Sequence, residues 1–267
     1  MDRYRIAIIV LGLVLLPRYA AALDGAEPMS GKSTSPTLQS APARLADATQ
    51  PDTPTGIKRA DFKRIQASSG VHHIADWVVD SGDNKGLPFV IVDKTNAKIF
   101  VFDVNGRIRG AAPVLLGLAR GDDTVPGIGD RELSGIRPEE RTTPAGRFVA
   151  ERGMSTRGVD ILWVDYDSAV SLHRVIVANP KDRRFERLAT PTSEDNRISY
   201  GWINVPIAFY NRVLNPSFDV SNGIVYVLPE IKPLRQVFGS YDVAERHQHT
   251  AQARQSAPAA AALNTGQ

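Results

Sequence analysis

Histidine and cysteine, which often serve in acid–base, nucleophilic and metal chemistry, are scarce in this chain: it has five histidines and no cysteine. The absence of cysteine excludes disulfides, thiolate metal sites, lipid attachment through a thiol and thiolate nucleophiles. His72 and His73 are adjacent and lack carboxylate or thiol partners, as do His247 and His249, so no metal or cofactor is predicted. Considered without its neighbours, His173 is expected to be a hydrogen-bonded histidine in a strand rather than a catalytic base.

The composition indicates a folded protein. Of the 267 residues, 42% are hydrophobic and 23% are charged, which is enough apolar material for a packed core. The 32 basic and 29 acidic residues give a net charge of only +3, too even a balance to indicate nucleic-acid binding.

The N-terminus has the features of an export signal. Arg3 and Arg5 precede the apolar run Ile6–Leu16, which is shorter than the ~18 residues that span a bilayer. Small residues at Ala20–Ala22 then fit a cleavage site. We expect a signal peptide over residues 1–22, cleavage after Ala22, export to a bacterial periplasm and no membrane span after cleavage. An uncleaved N-terminal anchor is the alternative.

Two segments without apolar periodicity flank the domain. Residues 23–56 contain five prolines among Ser, Thr, Ala and Gly, which is typical of a disordered linker. Residues 236–267 are rich in Ala, Gln, His and Arg and are predicted to be a disordered tail, with a frayed helix as the alternative. The domain is therefore predicted at residues 57–235.

That block is predicted to be mainly β and sandwich-like, with a few short helices, because short β-rich runs alternate with Gly- and Pro-rich loops. A short helix is expected over Arg59–Ala67 and another after Pro206. The long loop Gly117–Arg141 is expected to be functional, since a loop of this length in a compact domain more often has a function than not. The predicted strands are Phe89–Val92, Ile99–Phe102, Arg107–Gly110, Gly146–Glu151, Ile161–Tyr166, Ser171–Val177 and Ile224–Leu228.

Several stretches, in this order, form a recognisable set. The hairpin Phe89–Asp103 is followed by T-P-A-G-R-F at Thr143–Phe148, then by S-L-H ending at His173 and S-Y-G-W-I-N at Ser199–Asn204. This order resembles the catalytic domain of bacterial L,D-transpeptidases, which cross-link peptidoglycan stem peptides. The resemblance covers about residues 86–229 and implies a β-sandwich-like fold and stem peptides as partners.

The resemblance implies roles for individual residues. His173 matches the general base of the family, Ser199 matches its Ser/Thr and Gly201 matches its Gly. Asn204 matches the closing Asn of the motif. Asn204 and Arg141 are expected to bind substrate.

Two motif positions differ from the family. Tyr200 stands where the family has His, and Trp202 stands where it has the nucleophilic Cys. An indole N–H is a donor only and cannot attack an amide carbonyl, so the thioester route is closed at this position. Ser199 or Tyr200 is the alternative nucleophile, with no evident activating partner except His173. Cys and Trp codons differ at one base, so a recent or deliberate substitution or a sequence error stays open.

The gap between His173 and Ser199 is longer than is usual for the family. The inserted segment Asn179–Asn196 is polar and basic, which favours a solvated loop, with contact to anionic wall polymer as the alternative. In the long loop, the charged residues are expected either to meet a stem peptide or to form internal ion pairs. They are Arg120, Asp122, Asp123, Asp130 and Arg131.

Three hypotheses of function follow. The first is a catalytically silenced L,D-transpeptidase-like protein that still recognises stem peptides. The second is a member of an active transpeptidase or carboxypeptidase lineage that has lost its nucleophile. The third is a periplasmic scaffold that holds a partner protein.

Overall fold

The computed structural model describes residues 56–155 and 157–263. The predicted signal peptide and all but the last residue of the predicted linker lie outside these residues. The described part is mainly β, with a large sheet and few helices, which confirms the predicted fold class. Its strands are β1 (Phe89–Asp93), β2 (Lys98–Phe102), β3 (Ile108–Pro113), β4 (Leu116–Gly117), β5 (Gly146–Met154), β6 (Asp160–Asp165), β7 (Val170–Arg174), β8 (Arg197–Ser199), β9 (Ile203–Val205) and β10 (Gly223–Val227).

Helical segments connect and cover the strands. After Pro206, a short α-helix continues into the π-helical stretch Tyr210–Leu214, so the helix expected there is present. The α-helices are α1 (Ser69–Ser81), α2 (Arg184–Ala189), α3 (Ile207–Phe209), α4 (Asn215–Ser217), α5 (Leu234–Phe238) and α6 (Val243–Leu263). None of the helices among the described residues is long and apolar enough to cross a bilayer.

The large sheet has the strand order β3-β2-β1-β10-β5-β6-β7-β9, and its halves meet in the long strand β5. Residues Gly146–Ala150 of β5 pair with β10, whereas Glu151–Met154 pair with β6. The main apolar cluster contains Val90 from one half and Leu172 from the other. The halves thus pack on each other as in a sandwich, and β4 and β8 pair separately beside them.

The helix α1 covers the outer face of the β1–β2–β10 half. Its apolar residues Val71, Ile74 and Val78 recur at helical spacing and are fully buried against the sheet. Ser68 caps the first turn by accepting a hydrogen bond from the Val71 amide, and Gly82 ends the helix at φ +70°.

The structure corrects two expectations about helices. Arg59–Ala67 is not helical; the helix lies just after it, because Ser68 provides the cap and the apolar repeat starts at Val71. The expected tail also differs: α5 and α6 occupy residues that were expected to be disordered, so the structure has the helix that was the alternative there. The start of this predicted tail is held on α1 by Asp80, whose carboxylate accepts a hydrogen bond from Tyr241 (2.9 Å) and pairs with His247 (2.9 Å).

A buried ionic cluster lies where β1, β8, the long loop and the segment after β10 meet. The Lys94 cluster consists of Lys94, Asp122, Arg197 and Glu230. The Lys94 side chain is fully buried, and its ammonium donates to Asp122 Oδ1 (2.9 Å) and to the carbonyl of Thr143 (3.0 Å). Burial lowers the pKa of Lys94, and the adjacent carboxylates oppose that effect.

Asp122 joins the long loop to the segment after β10. Its carboxylate accepts the backbone amides of Glu230 (2.8 Å), Ile231 (2.9 Å) and Lys232 (2.7 Å). Burial acts to raise the pKa of Asp122, but these amides and Lys94 outweigh it and lower the pKa to about 2. Asp122 is therefore ionised, and the cluster is closed by Arg197, which donates to Glu230 (2.7 Å).

The Lys94→Met variant tests the cluster. It removes the buried cation, so the carboxylates of Asp122 and Glu230 stay buried with one positive charge fewer beside them. The free energy of unfolding is expected to fall by about 3–5 kcal/mol. Urea unfolding measures the change. The control Lys58→Met, at an exposed position, is expected to stay within about 0.5 kcal/mol of the native protein. Equal stabilities of the two variants would contradict this role.

Candidate functional site

The pairing of β7 with β9 brings the central motif residues together. The two strands are parallel, with Leu172 opposite Ile203 and His173 opposite Asn204. Because side chains alternate along a strand, the Leu172 and Ile203 pair enters the core while His173 and Asn204 share the other face. The rings of His173 and Trp202 lie 6.1 Å apart, centre to centre.

Hydrogen bonds hold the loop between β8 and β9. The hydroxyl of Ser199 donates to the carbonyl of Trp202 (2.6 Å) and accepts from the amide of Gly201 (3.1 Å). Gly201 has φ +119°, and a Cβ there would lie 2.8 Å from the carbonyl oxygen of Thr142. Its own carbonyl accepts from Thr143 Oγ1 (2.9 Å), so the T-P motif locks this loop in place.

His173 is held in its neutral form. It is 7% exposed, and its Nδ1 donates to the carbonyl of Arg174 (2.7 Å), which fixes the tautomer because a carbonyl can only accept. Burial lowers the pKa of His173, the hydrogen bond to Arg174 opposes that effect, and the charge of Arg184 lowers the pKa further. At neutral pH, Nε2 therefore carries a lone pair.

Trp202 lies between the long loop and the β6–β7 turn. Its indole Nε1 donates to the carbonyl of Ala169 (3.0 Å) in the β6–β7 turn. The ring borders a small cleft together with Ile128, Leu133 and Ile136 of the long loop. The indole thus closes the space between that loop and the turn.

Tyr200 and Arg141 form a cation–π pair at the same place. The guanidinium carbon of Arg141 lies 4.0 Å from the centre of the Tyr200 ring. Nε and Nη2 of Arg141 donate to the carbonyl of Ile136 (3.2 and 3.0 Å), and no described carboxylate pairs with this arginine. Arg141 is therefore a positioned cation with donors available to a ligand.

Arg184 is a site residue that sequence reasoning missed. It lies in the inserted segment, and its Nη1 donates to Asn204 Oδ1 (3.2 Å) while its Nε donates to Asp182 (3.0 Å). Asn204 is fully buried and donates to the carbonyl of Trp202 (3.2 Å), so it bridges the insertion and the motif loop.

Most residues of the insertion are exposed, as expected of a solvated segment, but the insertion also has regular structure. It contains α2, and Leu188 on that helix is buried against Leu115 and Val175. The four-residue spacing of Arg184 and Leu188 is a helical signal that could have placed both residues on the protein-facing side.

The charged residues of the long loop bind internally. Arg120 pairs with Glu194 and Glu230, and Asp122 belongs to the Lys94 cluster. Arg131 pairs with Glu140 (3.1 Å), and Asp123 with Lys232. The interpretation as internal ion pairs therefore holds for these four residues.

His72 and His73 have structural contacts. His72 packs on Phe62 with ring centres 4.0 Å apart, and His73 hydrogen-bonds to Ser240 (3.0 Å). Both lie on α1, not on a strand. Over residues 56–155 and 157–263, no three acidic, histidine or cysteine side chains are grouped so that they could hold a metal ion.

Comparisons with known proteins found little. No family model matches this sequence, and a search of curated proteins found no match. One similar solved structure is the L,D-transpeptidase from Xylanimonas cellulosilytica DSM 15894, with 14% identity and a TM-score of 0.34. The match covers 53% of this chain and 60% of that chain. The values describe a distant likeness and assign no activity to this chain.

The Arg184→Gln variant tests the electrostatics of the site. Removing the nearby positive charge is expected to raise the pKa of His173, because protonation no longer opposes a like charge. NMR titration of the histidine ring signals measures this shift. Arg183→Gln removes an exposed charge from the adjacent position and is expected to leave that pKa unchanged. A His173 pKa that is the same in both variants would exclude Arg184 from the site.

Proposed function

We propose that this domain binds the peptide stems of peptidoglycan in the bacterial cell envelope and carries out no acyl transfer. The observation that carries the proposal is the pairing of His173, a neutral buried base, with Trp202 at the position of the expected nucleophile. The site has a base and ligand donors but no group for the base to activate.

The absence of acyl transfer follows from the chemistry of the neighbouring groups. The reaction needs a thiolate, and the chain has no cysteine. The hydroxyl of Ser199, the nearest alternative, already donates to one backbone group and accepts from another within its own loop. Tyr200 is fixed under the guanidinium of Arg141. Proton transfer from Ser199 to His173 would require the hydrogen bonds that hold this loop to break.

The binding role rests on Arg141 and its surroundings. A stem peptide offers carboxylates and amides, and a guanidinium with available N–H groups suits a carboxylate. Tyr200 holds that guanidinium in place, which lowers the entropy lost on binding. The predicted signal peptide, with export to the periplasm, is part of the proposal and would place the domain next to this polymer.

Binding of soluble stem peptides tests the first half of the proposal. Their titration into the native protein is expected to change its tryptophan fluorescence, because Trp202 lies at the site. Arg141→Gln is expected to weaken binding on the order of tenfold because it removes a charged hydrogen bond. Arg109→Gln, at an exposed position on β3, is the matched control and is expected to bind normally. If the native protein binds no stem peptide, the proposal fails and the scaffold hypothesis gains.

Incubation with a carbapenem, followed by intact-mass measurement, tests the second half. The native protein and Trp202→Ala are expected to stay unmodified, because neither contains a thiol. Trp202→Cys is expected to gain one carbapenem, because the loop is held by bonds of Ser199 and Thr143 that do not involve the indole.

An adduct on the native protein would overturn the proposed loss of acyl transfer. An unmodified Trp202→Cys protein would instead count against descent from an active lineage, because the intact base and loop would then be insufficient.

A further inference from the structure

The outer face of the β5–β6 pair presents aromatic and apolar side chains to solvent, while the other face of both strands enters the main core. Glu151 of β5 lies directly opposite Trp163 of β6, and side chains alternate along a strand, so Val149 and Gly153 share the outer face with them. Val149 is 50% exposed, and Tyr166, which follows β6, is 57% exposed. These five residues are called the Trp163 surface below.

Trp163 and Tyr166 form a pair of rings on this surface. Their ring centres lie 5.1 Å apart and their planes differ by 26°, so the two rings are nearly parallel. The indole lies directly against the backbone of Gly153, where a Cβ would come within 2.6 Å of Cδ1 of Trp163. A larger residue at position 153 would displace the indole. The glycine therefore allows the aromatic pair to lie close to the sheet.

Hydrogen-bonding groups stand beside the rings. Glu151 is exposed, and its Oε1 accepts from Asn222 Nδ2 (3.3 Å). Burial and the negative charge of Glu151 raise the pKa of Tyr166, so the phenol is protonated at neutral pH and able to donate. The surface thus combines aromatic rings, a carboxylate acceptor and a hydroxyl.

This combination favours an uncharged sugar. The C–H groups on one face of a pyranose ring are attracted to the negative face of an aromatic ring, and sugar hydroxyls donate to carboxylates. An anion would be repelled by Glu151. A cation is held best over the face of a ring, and two nearly parallel rings do not turn their faces towards one point. An apolar protein surface would bury the Glu151 carboxylate without supplying donors for it.

The Trp163 surface lies on the same face of the sheet as His173. Trp163 pairs with Ser171 of β7, and Ser171 precedes His173 by two positions, so the three side chains project from the same side. A polymer whose peptide branch reaches His173 is therefore able to pass over the aromatic pair.

We propose that the Trp163 surface binds a linear chain of uncharged, N-acetylated pyranose sugars. A sugar ring stacks on Trp163 or Tyr166, and its hydroxyls donate to Glu151. The proposal rests on the proposed function only for the identity of the sugar, because the polymer that carries the peptide stems has such a backbone. It goes further because binding at these residues requires neither Arg141 nor His173.

Chitotetraose, an uncharged β-linked tetramer of N-acetylglucosamine, tests the proposal on the full chain. Protein-observed NMR titration is expected to show saturable binding with a shift of the Trp163 indole signal. The fully deacetylated tetramer, which is positively charged at pH 6, tests the surface for cation binding and is expected to bind no more tightly than chitotetraose.

Variants assign the contacts, with melting curves to confirm folding. Tyr166→Ala is expected to weaken chitotetraose binding at least roughly fivefold because it removes a stacking ring, whereas Tyr166→Phe keeps the ring and is expected to bind more tightly than Tyr166→Ala. Gly153→Ala displaces the indole without removing it and is expected to weaken binding as well. The matched control is Phe185→Ala, which removes a 52% exposed aromatic ring on α2 and is expected to bind normally.

Absence of chitotetraose binding, tighter binding of the charged tetramer, or equal binding by the native protein and Tyr166→Ala would overturn the proposal. Sedimentation that shows a dimer of the native protein but not of Tyr166→Ala would also overturn it, because a second copy would then cover the surface. Chitotetraose contains no peptide, so its binding without stem-peptide binding would support the sugar surface and count only against the function proposed above.

Discussion

The buried ammonium of Lys94 is the interaction on which the site depends. A lysine without solvent contact must have its charge and its donors satisfied by the protein. Lys94 meets this requirement through Asp122 and the carbonyl of Thr143, which come from the two ends of the segment after β4. Because the buried ammonium needs these partners, it holds both ends of a long loop that has little regular structure of its own.

Hydrogen bonds of Thr143 connect the Lys94 cluster to the candidate site. Thr143, whose carbonyl binds Lys94, uses its hydroxyl to accept from the amide of Gly117 (2.9 Å) and to donate to the carbonyl of Gly201. Gly201 lies in the loop that Ser199 closes and that presents Trp202 to His173. The T-P motif therefore acts as a structural link between the buried charge and the motif loop.

The site that results combines a neutral histidine with a held cation, in a chain without cysteine. His173 has a fixed tautomer, and Arg141 is a held cation with donors available. Trp202 uses its N–H on a backbone carbonyl and fills the space beside the long loop. The proposal of recognition without a covalent step rests on this arrangement, because the histidine and the binding groups do not depend on a thiol.

The sequence by itself determined most of the strands, but not the short strands β4, β8 and β9. It also determined the order of the motif residues and the missing cysteine, because alternating apolar residues and a local motif are encoded over short distances. It did not place Arg184 beside Asn204, group Lys94 with Asp122, or show that Asn196 is buried with an unpaired oxygen. Only the tertiary structure decided these contacts. They join segments far apart in the chain through loops without periodicity, and their geometry is set by how buried charges and polar groups find partners.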